Sequence, residues 1–364
     1  MNKLNLAIIF GGKSVEHEIS LISAKNIMKS INKNKYRILP IGINKNGSAI
    51  LFSDENCFEN YESPKTIKLS VNKSLGNIYF KFGSNKIIVE NNDKYLTENI
   101  DIVFPIVHGT GGEDGSLQGF IKSLNIPFVG SDVLGSSICM DKVITKRILE
   151  SININVSKYI VLRKNDTLDL DKYIDILKLP IFVKPSNTGS SVGINKAKTK
   201  EQLLNFIKEA FEFDNKIILE EYIKGREIEV SVLGNREPIV SIAGEIIPQY
   251  EFYSYKAKYI DENGAILEIP AKIENNILTQ IQNIAIKAYR ELECYGLARV
   301  DFFLTNENKI YLNEINTLPG FTSISMYPKL LSYSNITYSE IIDKLINFAI
   351  ERFKEEKNIK RTYT

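Results

Sequence analysis

A pair of alternating strands joined by a polar turn, at residues 296–320, constrains the fold of this chain more than any other feature. Side chains two residues apart lie on the same face of a strand. Arg299 and Asp301 therefore share a face of the first strand, and Glu314 and Asn316 share a face of the second. The segment predicts a β-hairpin that carries four polar side chains on one face.

A turn centred on residues 307–308 would place Asp301 opposite Glu314, and Arg299 opposite Asn316. Directly opposed side chains begin about 5 Å apart at Cβ, and like charges at that distance destabilise a sheet. The two carboxylates therefore require a cation between them. Oxygen ligands suit Mg²⁺ or Mn²⁺ rather than Zn²⁺. For this segment alone, a solvated polar face of an ordinary hairpin is the alternative interpretation.

The composition indicates a globular protein of two to three domains, since the chain has 364 residues. Apolar residues make up 43% of it and charged residues 25%, which are ordinary fractions. The formal net charge of +2 does not favour a nucleic acid or an acidic membrane surface as a partner.

Cysteine usage favours a reducing, cytoplasmic setting. Cys57, Cys139 and Cys294 are few and far apart in the sequence, which argues against a disulfide framework and against a zinc site. The apolar run Leu6–Phe10 is too short for the core of a signal peptide, and we expect no membrane span.

The first part of the chain alternates strands and helices, which predicts a parallel sheet with ligands at its carboxyl ends. The predicted strands are Leu6–Phe10, Arg37–Ile43 and Ile100–Val107, and a helix is predicted over Ser14–Ile31. Residues 44–99 interrupt this pattern with short alternating strands, and we interpret them as an inserted antiparallel flap.

The remaining predicted elements are a helix over 140–151, strands at 179–185, 217–223 and 225–232, a loop at 250–269, and helices over 275–292 and 338–357.

The loop Ser186–Gly193 is the strongest candidate for an anion site outside the hairpin. Its small residues allow several backbone N–H groups to point at one anion, although a plain surface turn is the alternative. Lys142 and Lys184 are candidate phosphate contacts, or solvated surface charges. The strand end at residues 220–223 is a candidate adenine slot or a core strand, and Glu227 is a candidate ribose contact.

Two other signals fail as motifs. The sequence Gly12-Lys13-Ser14 lacks the first glycine of a P-loop, because that position is Ala7. With only two histidines in the chain, a metal site built on imidazoles is nearly excluded.

Seven spaced motifs carry a resemblance to a known family. In chain order they are F-G-G-x-S-x-E-x-E-x-S from Phe10, P-x-V-H-G-x-x-G-E-D-G from Pro105, M-D-K from Met140, V-K-P-x-x-x-G-S-S-x-G from Val183, K-Y at Lys258, R-x-D from Arg299 and E-x-N-T-x-P-G from Glu314. Together they resemble the D-alanine–D-alanine ligases of the ATP-grasp superfamily, over the whole chain except residues 44–99.

The resemblance implies an α/β fold that becomes α+β in its C-terminal part. It places a parallel-sheet, pre-ATP-grasp domain at 1–139, with the insertion at 44–99. A central ATP-grasp subdomain follows at 140–226, and a C-terminal ATP-grasp subdomain with the metal and catalytic residues at 227–364.

The resemblance also implies a carboxylate–amine ligase that uses ATP to form D-alanyl phosphate and then D-alanyl-D-alanine, for peptidoglycan precursors. Two Mg²⁺ or Mn²⁺ ions would bind Asp301, Glu314 and Asn316, with Glu314 bridging. The residues that match ATP contacts are Lys142, Lys184, Ser191, Glu220, Tyr222, Ile223, Glu227 and Lys258.

For the amino acids, the resemblance implies that Glu16 binds the ammonium of the first D-alanine and that His108 contacts the same molecule. Arg299 and the backbone of Gly320 would hold the oxyanion of the tetrahedral intermediate. The remaining matches are Ser190 and Tyr259, as a pair that forms in the closed state, and Ser325 and Met326, as the lining of the second substrate's pocket.

Tyr259 and Met326 favour the dipeptide ligases over relatives that make D-alanyl-D-lactate. A D-alanine–D-lactate or D-alanine–D-serine ligase is the alternative within catalysis, and a nucleotide-binding regulator on a decayed scaffold is the alternative outside it. The resemblance suggests a homodimer, with D-alanine and ATP as its small-molecule partners.

Overall fold

The computed structural model of the chain describes residues 3–61, 63, 65–92, 94–249 and 264–360. Within these ranges the strands form three larger sheets and one two-stranded ribbon, with helices packed on the sheets. None of the helices found there has the length and apolar character needed to cross a bilayer. The fold belongs to the mixed α/β class, which confirms the predicted class.

The first sheet contains seven strands. They are β1 (Leu4–Gly11), β2 (Tyr36–Ile43), β3 (Ala49–Phe52), β6 (Ser74–Phe80), β7 (Lys86–Asn91), β8 (Lys94–Asn99) and β9 (Ile102–Ile106). The spatial order is β8-β7-β6-β3-β2-β1-β9, and β1 pairs in parallel with both β2 and β9. A small ribbon pairs β4 (Phe58–Glu59) with β5 (Lys68–Leu69), and a 3₁₀ turn covers Val71–Lys73.

Residues 44–99 do not form the separate flap that we expected. Their longer strands continue the first sheet, since β3 pairs antiparallel with β2 and with β6. β7 and β8 then extend the same sheet to its edge. The alternating pattern predicted antiparallel strands correctly, but it carried no information on which sheet edge they join.

The apolar run of β1 is buried on both faces, which explains why it does not alternate. Leu6 and Phe10 pack towards α1 (His17–Ser30), in a core that also includes the last helix. Ile9 packs on the opposite face, where Ile121 of α2 (Ser116–Ser123) contributes to a second core.

The helix predicted over 140–151 is confirmed as α4 (Lys142–Ser151). A separate helix, α3 (Val133–Met140), precedes it, and Asp141 lies between the two. The Asp141 carboxylate accepts hydrogen bonds from the backbone N–H groups of Val143 and Ile144, so it caps the N-terminus of α4.

The second sheet has four antiparallel strands. They are β10 (Tyr159–Arg163), β11 (Ile181–Pro185), β12 (Asn195–Ala197) and β13 (Lys216–Glu221), in the spatial order β10-β13-β11-β12. Two helices, α5 (Leu170–Leu177) and α6 (Lys200–Phe213), pack their apolar residues on one face of it.

The third sheet is antiparallel and fills most of the C-terminal part. Its strands are β14 (Gly225–Gly234), β15 (Ile239–Val240), β16 (Gly244–Pro248), β17 (Ala265–Glu268), β18 (Gly296–Thr305) and β19 (Ile310–Asn316). The main order is β17-β16-β14-β18-β19, with β15 paired to β14. The helices that the described residues of this part form are α7 (Asn275–Glu291), α8 (Met326–Tyr333) and α9 (Tyr338–Lys357).

The hairpin of β18 and β19 has the predicted pairs, Asp301 opposite Glu314 and Arg299 opposite Asn316. Its turn is one position shorter than expected, because Leu304 pairs with Ile310. A β-bulge after Asp301 inserts one extra residue on β19 and restores the predicted register.

Candidate active site

A cavity of about 470 Å³ is bordered by residues of both the second and the third sheet. Many of the site residues that the sequence predicts line it. They are Lys142, Lys184, Ser190, Ser191, Glu220, Tyr222, Ile223, Glu227, Glu314 and Asn316. Residues far apart in the sequence therefore meet around one space.

Glu220 lies between two ammonium groups at the wall of this cavity. β13 and β11 are neighbours, and the Lys184 ammonium contacts Oε2 of Glu220 at 2.7 Å. Lys146, on α4, lies 3.2 Å from Oε1 and is 1% exposed. Burial alone would raise the pKa of Glu220, but the charges of Lys146 and Lys184 outweigh it and lower that pKa to about 2.

The three charges leave a surplus of one positive charge beside the cavity, which suits a phosphate group. Lys146 was not a candidate in the sequence analysis. The available signal was its position four residues after Lys142, on the same face of a helix.

Lys142 connects the start of α4 to the loop at 186–193. Its ammonium donates to the carbonyl of Thr188 at 2.6 Å, and its backbone N–H donates to the carbonyl of Ser186. Burial lowers the pKa of Lys142. In the same loop, Ser190 and Ser191 have φ values of 50° and 60°, a left-handed conformation that is unusual for residues other than glycine.

Aromatic side chains form another part of the cavity wall. The rings of Phe182 and Tyr222 are 6.1 Å apart, and the Lys196 ammonium lies 4.0 Å from the centre of the Tyr222 ring. Ile223 and Glu227 also line this cavity. Flat apolar walls next to a carboxylate suit a nucleobase with its ribose.

The polar face of the hairpin forms a connected cluster next to the cavity, in which Glu314 and Asn316 belong to the cavity wall whereas Arg299 and Asp301 lie beside it. Arg299 donates to both oxygens of Asp301 at 2.7 Å, and its Nε lies 3.0 Å from Glu229. Burial would lower the pKa of Arg299, but the Asp301 and Glu229 carboxylates raise it well above its ordinary value. Glu229 was not among the sequence candidates, although it lies two residues after Glu227 on β14.

The hairpin residues fit a divalent cation in their donor chemistry. The Nδ2 of Asn316 lies 3.0 Å from Asp301 and 3.5 Å from Glu314, so the three side chains reach one point. A half-turn of the Asn316 amide would present its oxygen instead. Two carboxylates and an amide oxygen are hard ligands of the kind that Mg²⁺ and Mn²⁺ prefer.

Glu16 lies at the N-terminus of α1 and contacts the loop at 186–193. Its carboxylate accepts a hydrogen bond from the Ser190 hydroxyl and is 5% exposed. The backbone of Gly109 and the backbone of Gly189 both approach the Glu16 carboxylate closely. A Cβ added to Gly109 would lie 2.6 Å from Glu16 Oε2, and a Cβ added to Gly189 would lie 3.2 Å from the same atom. The loop is therefore closed on the N-terminal sheet.

His108 is buried next to this contact and is 2% exposed. Its Nε2 lies 2.9 Å from the Ser23 hydroxyl, and its Nδ1 lies 3.5 Å from Glu113 Oε1. Glu113 lines the cavity, whereas Glu16 and His108 lie beside it rather than in its wall. Ser23 and Glu113, the two side chains that contact His108, were not among the sequence candidates.

The loop after β19 carries the remaining sequence candidates. Gly320 packs against Ser325, and the Ser325 hydroxyl accepts a hydrogen bond from the backbone N–H of Thr322 at 3.0 Å. Met326 is 4% exposed and packs with Ile246 in an apolar cluster. Met326 is therefore part of this apolar cluster, and its role as pocket lining stays a prediction.

Lys258 and Tyr259 lie outside the described residues, as does the rest of 250–263. The expected hydrogen bond between Ser190 and Tyr259 therefore also stays a prediction.

Comparison with known proteins decides the family. The family model "D-ala D-ala ligase N-terminus" matches residues 5–131, and "D-ala D-ala ligase C-terminus" matches residues 148–347. The chain belongs to the D-alanine–D-alanine ligase family. The D-alanine–D-alanine ligase of Oceanobacillus iheyensis is 51% identical over 362 residues, which cover 98% of each chain.

Solved structures of this family show the same fold. The D-alanine–D-alanine ligase of Coxiella burnetii superposes with a TM-score of 0.86 at 36% identity, over 98% of this chain and 97% of its own. The VanG D-Ala:D-Ser ligase of Enterococcus faecalis gives a TM-score of 0.83 at 35% identity, over 96% and 100%. The chain is thus a ligase of the ATP-grasp fold.

The comparisons also correct the extent of the resemblance. The N-terminal family model spans residues 44–99, and the Oceanobacillus relative aligns over nearly its full length. Residues 44–99 are therefore shared with D-alanine–D-alanine ligases and are not an addition to them.

Proposed function

We propose that this ligase joins two D-alanines to D-alanyl-D-alanine through D-alanyl phosphate, with ATP as the phosphoryl donor. One observation carries the proposal: the hairpin carboxylate Glu314 and the cations Lys142 and Lys184 line the same cavity. A triphosphate placed there would have ammonium groups along it and the metal-binding cluster at its reacting end. The product would feed peptidoglycan synthesis.

For the nucleotide, Phe182 and Tyr222 would flank the adenine, Glu227 would accept from the ribose, and the Lys184 ammonium would meet a phosphate. We also assign Ser191, Glu220, Ile223 and Lys258 to ATP binding. Supporting this assignment, all of them except Lys258, which lies outside the described residues, line the cavity.

We assign Asp301, Glu314 and Asn316 to two divalent cations, Mg²⁺ or Mn²⁺. When bound, such ions would offset the negative charge that builds up on the transferring phosphoryl group. The residues themselves keep the two carboxylates and the amide within reach of one another before any ligand arrives.

For the amino acids, Glu16 would bind the ammonium of the first D-alanine, and His108 would contact the same molecule. Arg299 and the backbone N–H of Gly320 would stabilise the oxyanion as the second amine attacks. Among the described residues, Nη1 of Arg299 makes no hydrogen bond, so this part of the guanidinium can take the new charge. Ser325 and Met326 would border the second substrate.

The closed loop at 186–193 would protect the acylphosphate from water. Ser190 bonds Glu16, and Lys142 bonds the carbonyl of Thr188, so this loop is held at both of its sides. An acylphosphate hydrolyses when water enters, and closure therefore protects the intermediate. Tyr259 would add a further contact in the closed state.

We further propose that the ligase acts in the cytoplasm and as a homodimer. Its three cysteines are free and buried, which fits a reducing compartment. Cys139 and Cys294, distant in the sequence, have their sulfur atoms 3.6 Å apart and remain thiols.

The test is phosphate release from ATP and Mg²⁺, with the products identified by mass. Reactions contain D-alanine, L-alanine, D-alanine with D-lactate, or D-alanine with D-serine. We expect release that depends on D-alanine and yields D-alanyl-D-alanine. A depsipeptide or D-alanyl-D-serine as the main product would move the chain to the alternative ligases, and no release with any D-amino acid would overturn the proposal.

A further inference from the structure

Helix α1 carries a row of buried polar side chains on one face. Glu16, Ser20 and Ser23 are four and three residues apart, so they lie one above another on the helix. Both serines are 0% exposed. Polar groups buried to this degree are normally there because each has a defined partner.

The partners of the two serines differ in kind. The Ser20 hydroxyl accepts from the backbone N–H of Gly11 and donates to the carbonyl of Ile106, so it connects the ends of two neighbouring strands. The Ser23 hydroxyl lies 2.9 Å from His108 Nε2 and accepts from the backbone N–H of Phe321 at 3.3 Å. Phe321 directly follows Gly320, the proposed oxyanion donor.

The hydrogen bonds of Ser23 define the tautomer of His108. The Phe321 N–H occupies a lone pair of the hydroxyl, and the only other partner among the described residues is His108 Nε2. A protonated Nε2 would leave the buried hydroxyl proton without an acceptor among these partners, so the arrangement that satisfies both groups has the hydroxyl donating to an unprotonated Nε2. The ring proton is then on Nδ1, the nitrogen 3.5 Å from Glu113 Oε1.

We propose that Ser23 is a positioning residue for the ligation, because one hydroxyl fixes both the His108 ring and the oxyanion loop at Gly320–Phe321. The proposal rests on the substrate roles assigned to His108 and Gly320. As a consequence, the pocket of the first D-alanine and the oxyanion donor keep one fixed separation, because the His108 ring and the Phe321 N–H, next to Gly320, are hydrogen-bonded to the same oxygen.

The kinetic test compares Ser23→Ala with Ser20→Ala, a matched control on the same helix with equal burial. Ser23→Ala should raise KM for the first D-alanine and lower kcat, each by about tenfold, while KM for ATP stays within about twofold. Ser20→Ala should lower the melting temperature but leave both KM values within about twofold. Equal kinetic effects of the two variants, or an unchanged KM for the first D-alanine in Ser23→Ala, would overturn the proposal.

A spectroscopic test reads the tautomer directly. The chain has two histidines, so ¹⁵N-histidine labelling gives two imidazole spin systems. His17 is an internal reference, because its Nδ1 must be protonated to donate to the carbonyl of Gly12 at 2.7 Å. At pH 8 we expect His108 to show protonated Nδ1 and unprotonated Nε2, with a changed Nε2 signal in Ser23→Ala and an unchanged His17.

A wild-type His108 signal with protonated Nε2 and bare Nδ1 would overturn the assignment. If Ser23→Ala does not fold, Ser23→Cys keeps a weak hydrogen-bonding group of similar size, and it should shift the same Nε2 signal and the same KM by less. No shift of either in Ser23→Cys would contradict the proposal. If the wild-type protein forms no D-alanyl-D-alanine, the proposed function fails, whereas the spectra still test the hydrogen bond itself.

Discussion

The proposed nucleotide side and the proposed amino-acid side of this site hold their polar groups in different ways. Around the cavity, charges neutralise one another, as Lys184 does with Glu220 and Arg299 with Asp301. Beside the N-terminal sheet, His108 is instead held by the neutral hydroxyl of Ser23, and the Glu16 carboxylate accepts a hydrogen bond from the neutral hydroxyl of Ser190. The ion pairs around the cavity can exchange partners when a charged ligand enters. The hydroxyl contacts instead fix the positions of His108 and Glu16 when the loop at 186–193 closes. Variants on the two sides should therefore separate the two substrates.

The largest effect is expected at the hairpin. Glu314→Ala removes a carboxylate from the cluster proposed to bind the divalent cations, and we expect kcat to fall by at least about 10³-fold. The matched control is Glu307→Ala, which removes an exposed carboxylate from the turn of the same hairpin and should leave turnover unchanged. Phosphate release in Mg²⁺ measures both, and near-normal turnover of Glu314→Ala would remove the hairpin from the site.

The buried ammonium of α4 should affect only the nucleotide side. Lys146→Met leaves Glu220 with Lys184 as its remaining cation, so Lys184 is drawn away from phosphate. We expect KM for ATP to rise about tenfold and the free energy of unfolding to fall by about 3–5 kcal/mol, with KM for D-alanine unchanged.

Arg147→Met is the control for Lys146→Met, since Arg147 is the next residue on the same helix and is exposed. Urea unfolding and initial rates distinguish the two. If Lys146→Met raised KM for ATP and KM for D-alanine by the same factor, the nucleotide side and the amino-acid side would not act independently.

Acid should weaken the same ion cluster. The pKa of Glu220 is lowered to about 2 in the folded chain, from an ordinary 4.5. Its contribution to stability is therefore fully present above about pH 5 and is lost as the pH falls towards 2. Between pH 5 and pH 3 we expect this group to cost on the order of 2 kcal/mol in the free energy of unfolding.

Urea unfolding at a series of pH values measures this loss. Glu220→Gln should be less stable at neutral pH but should lose less on acidification, because it has no carboxyl to protonate. Identical pH slopes for the variant and the wild type would contradict the assigned charge state.

The smallest effect is expected on the amino-acid side. Glu16→Gln keeps an acceptor for Ser190 but removes the charge that would bind an ammonium. We expect KM for the first D-alanine to rise about tenfold, with KM for the second D-alanine and for ATP nearly unchanged. Glu18→Gln, two residues further along and paired with Lys45, is the control.

Local patterns predicted the polar face of the hairpin, because alternation alone assigns Arg299, Asp301, Glu314 and Asn316 to it. The predicted register was confirmed although the turn was wrong, since the bulge on β19 compensated for the shorter turn. A bulge depends on three-dimensional packing, and no residue pattern in the segment predicted it.

Other features depended on contacts between distant segments. The strands at 44–99 were recognisable, but the edge that they extend was not. Lys146 and Ser23 were missed because nothing in the local sequence shows that they are buried or which groups they contact. Their partners, Glu220 and His108, are far away in the sequence. The family resemblance supplied most of the remaining candidates.

The core of the N-terminal sheet has a consequence for how the chain is made. Leu21 and Ile27 of α1 share that core with Ile342 and Leu345 of α9. On the ribosome, β1 and α1 emerge long before α9. The apolar surface that these two elements bury against α9 therefore stays exposed to solvent until the last helix has been synthesised. The half of the enzyme that is synthesised first is therefore completed last, and it needs protection from aggregation throughout translation.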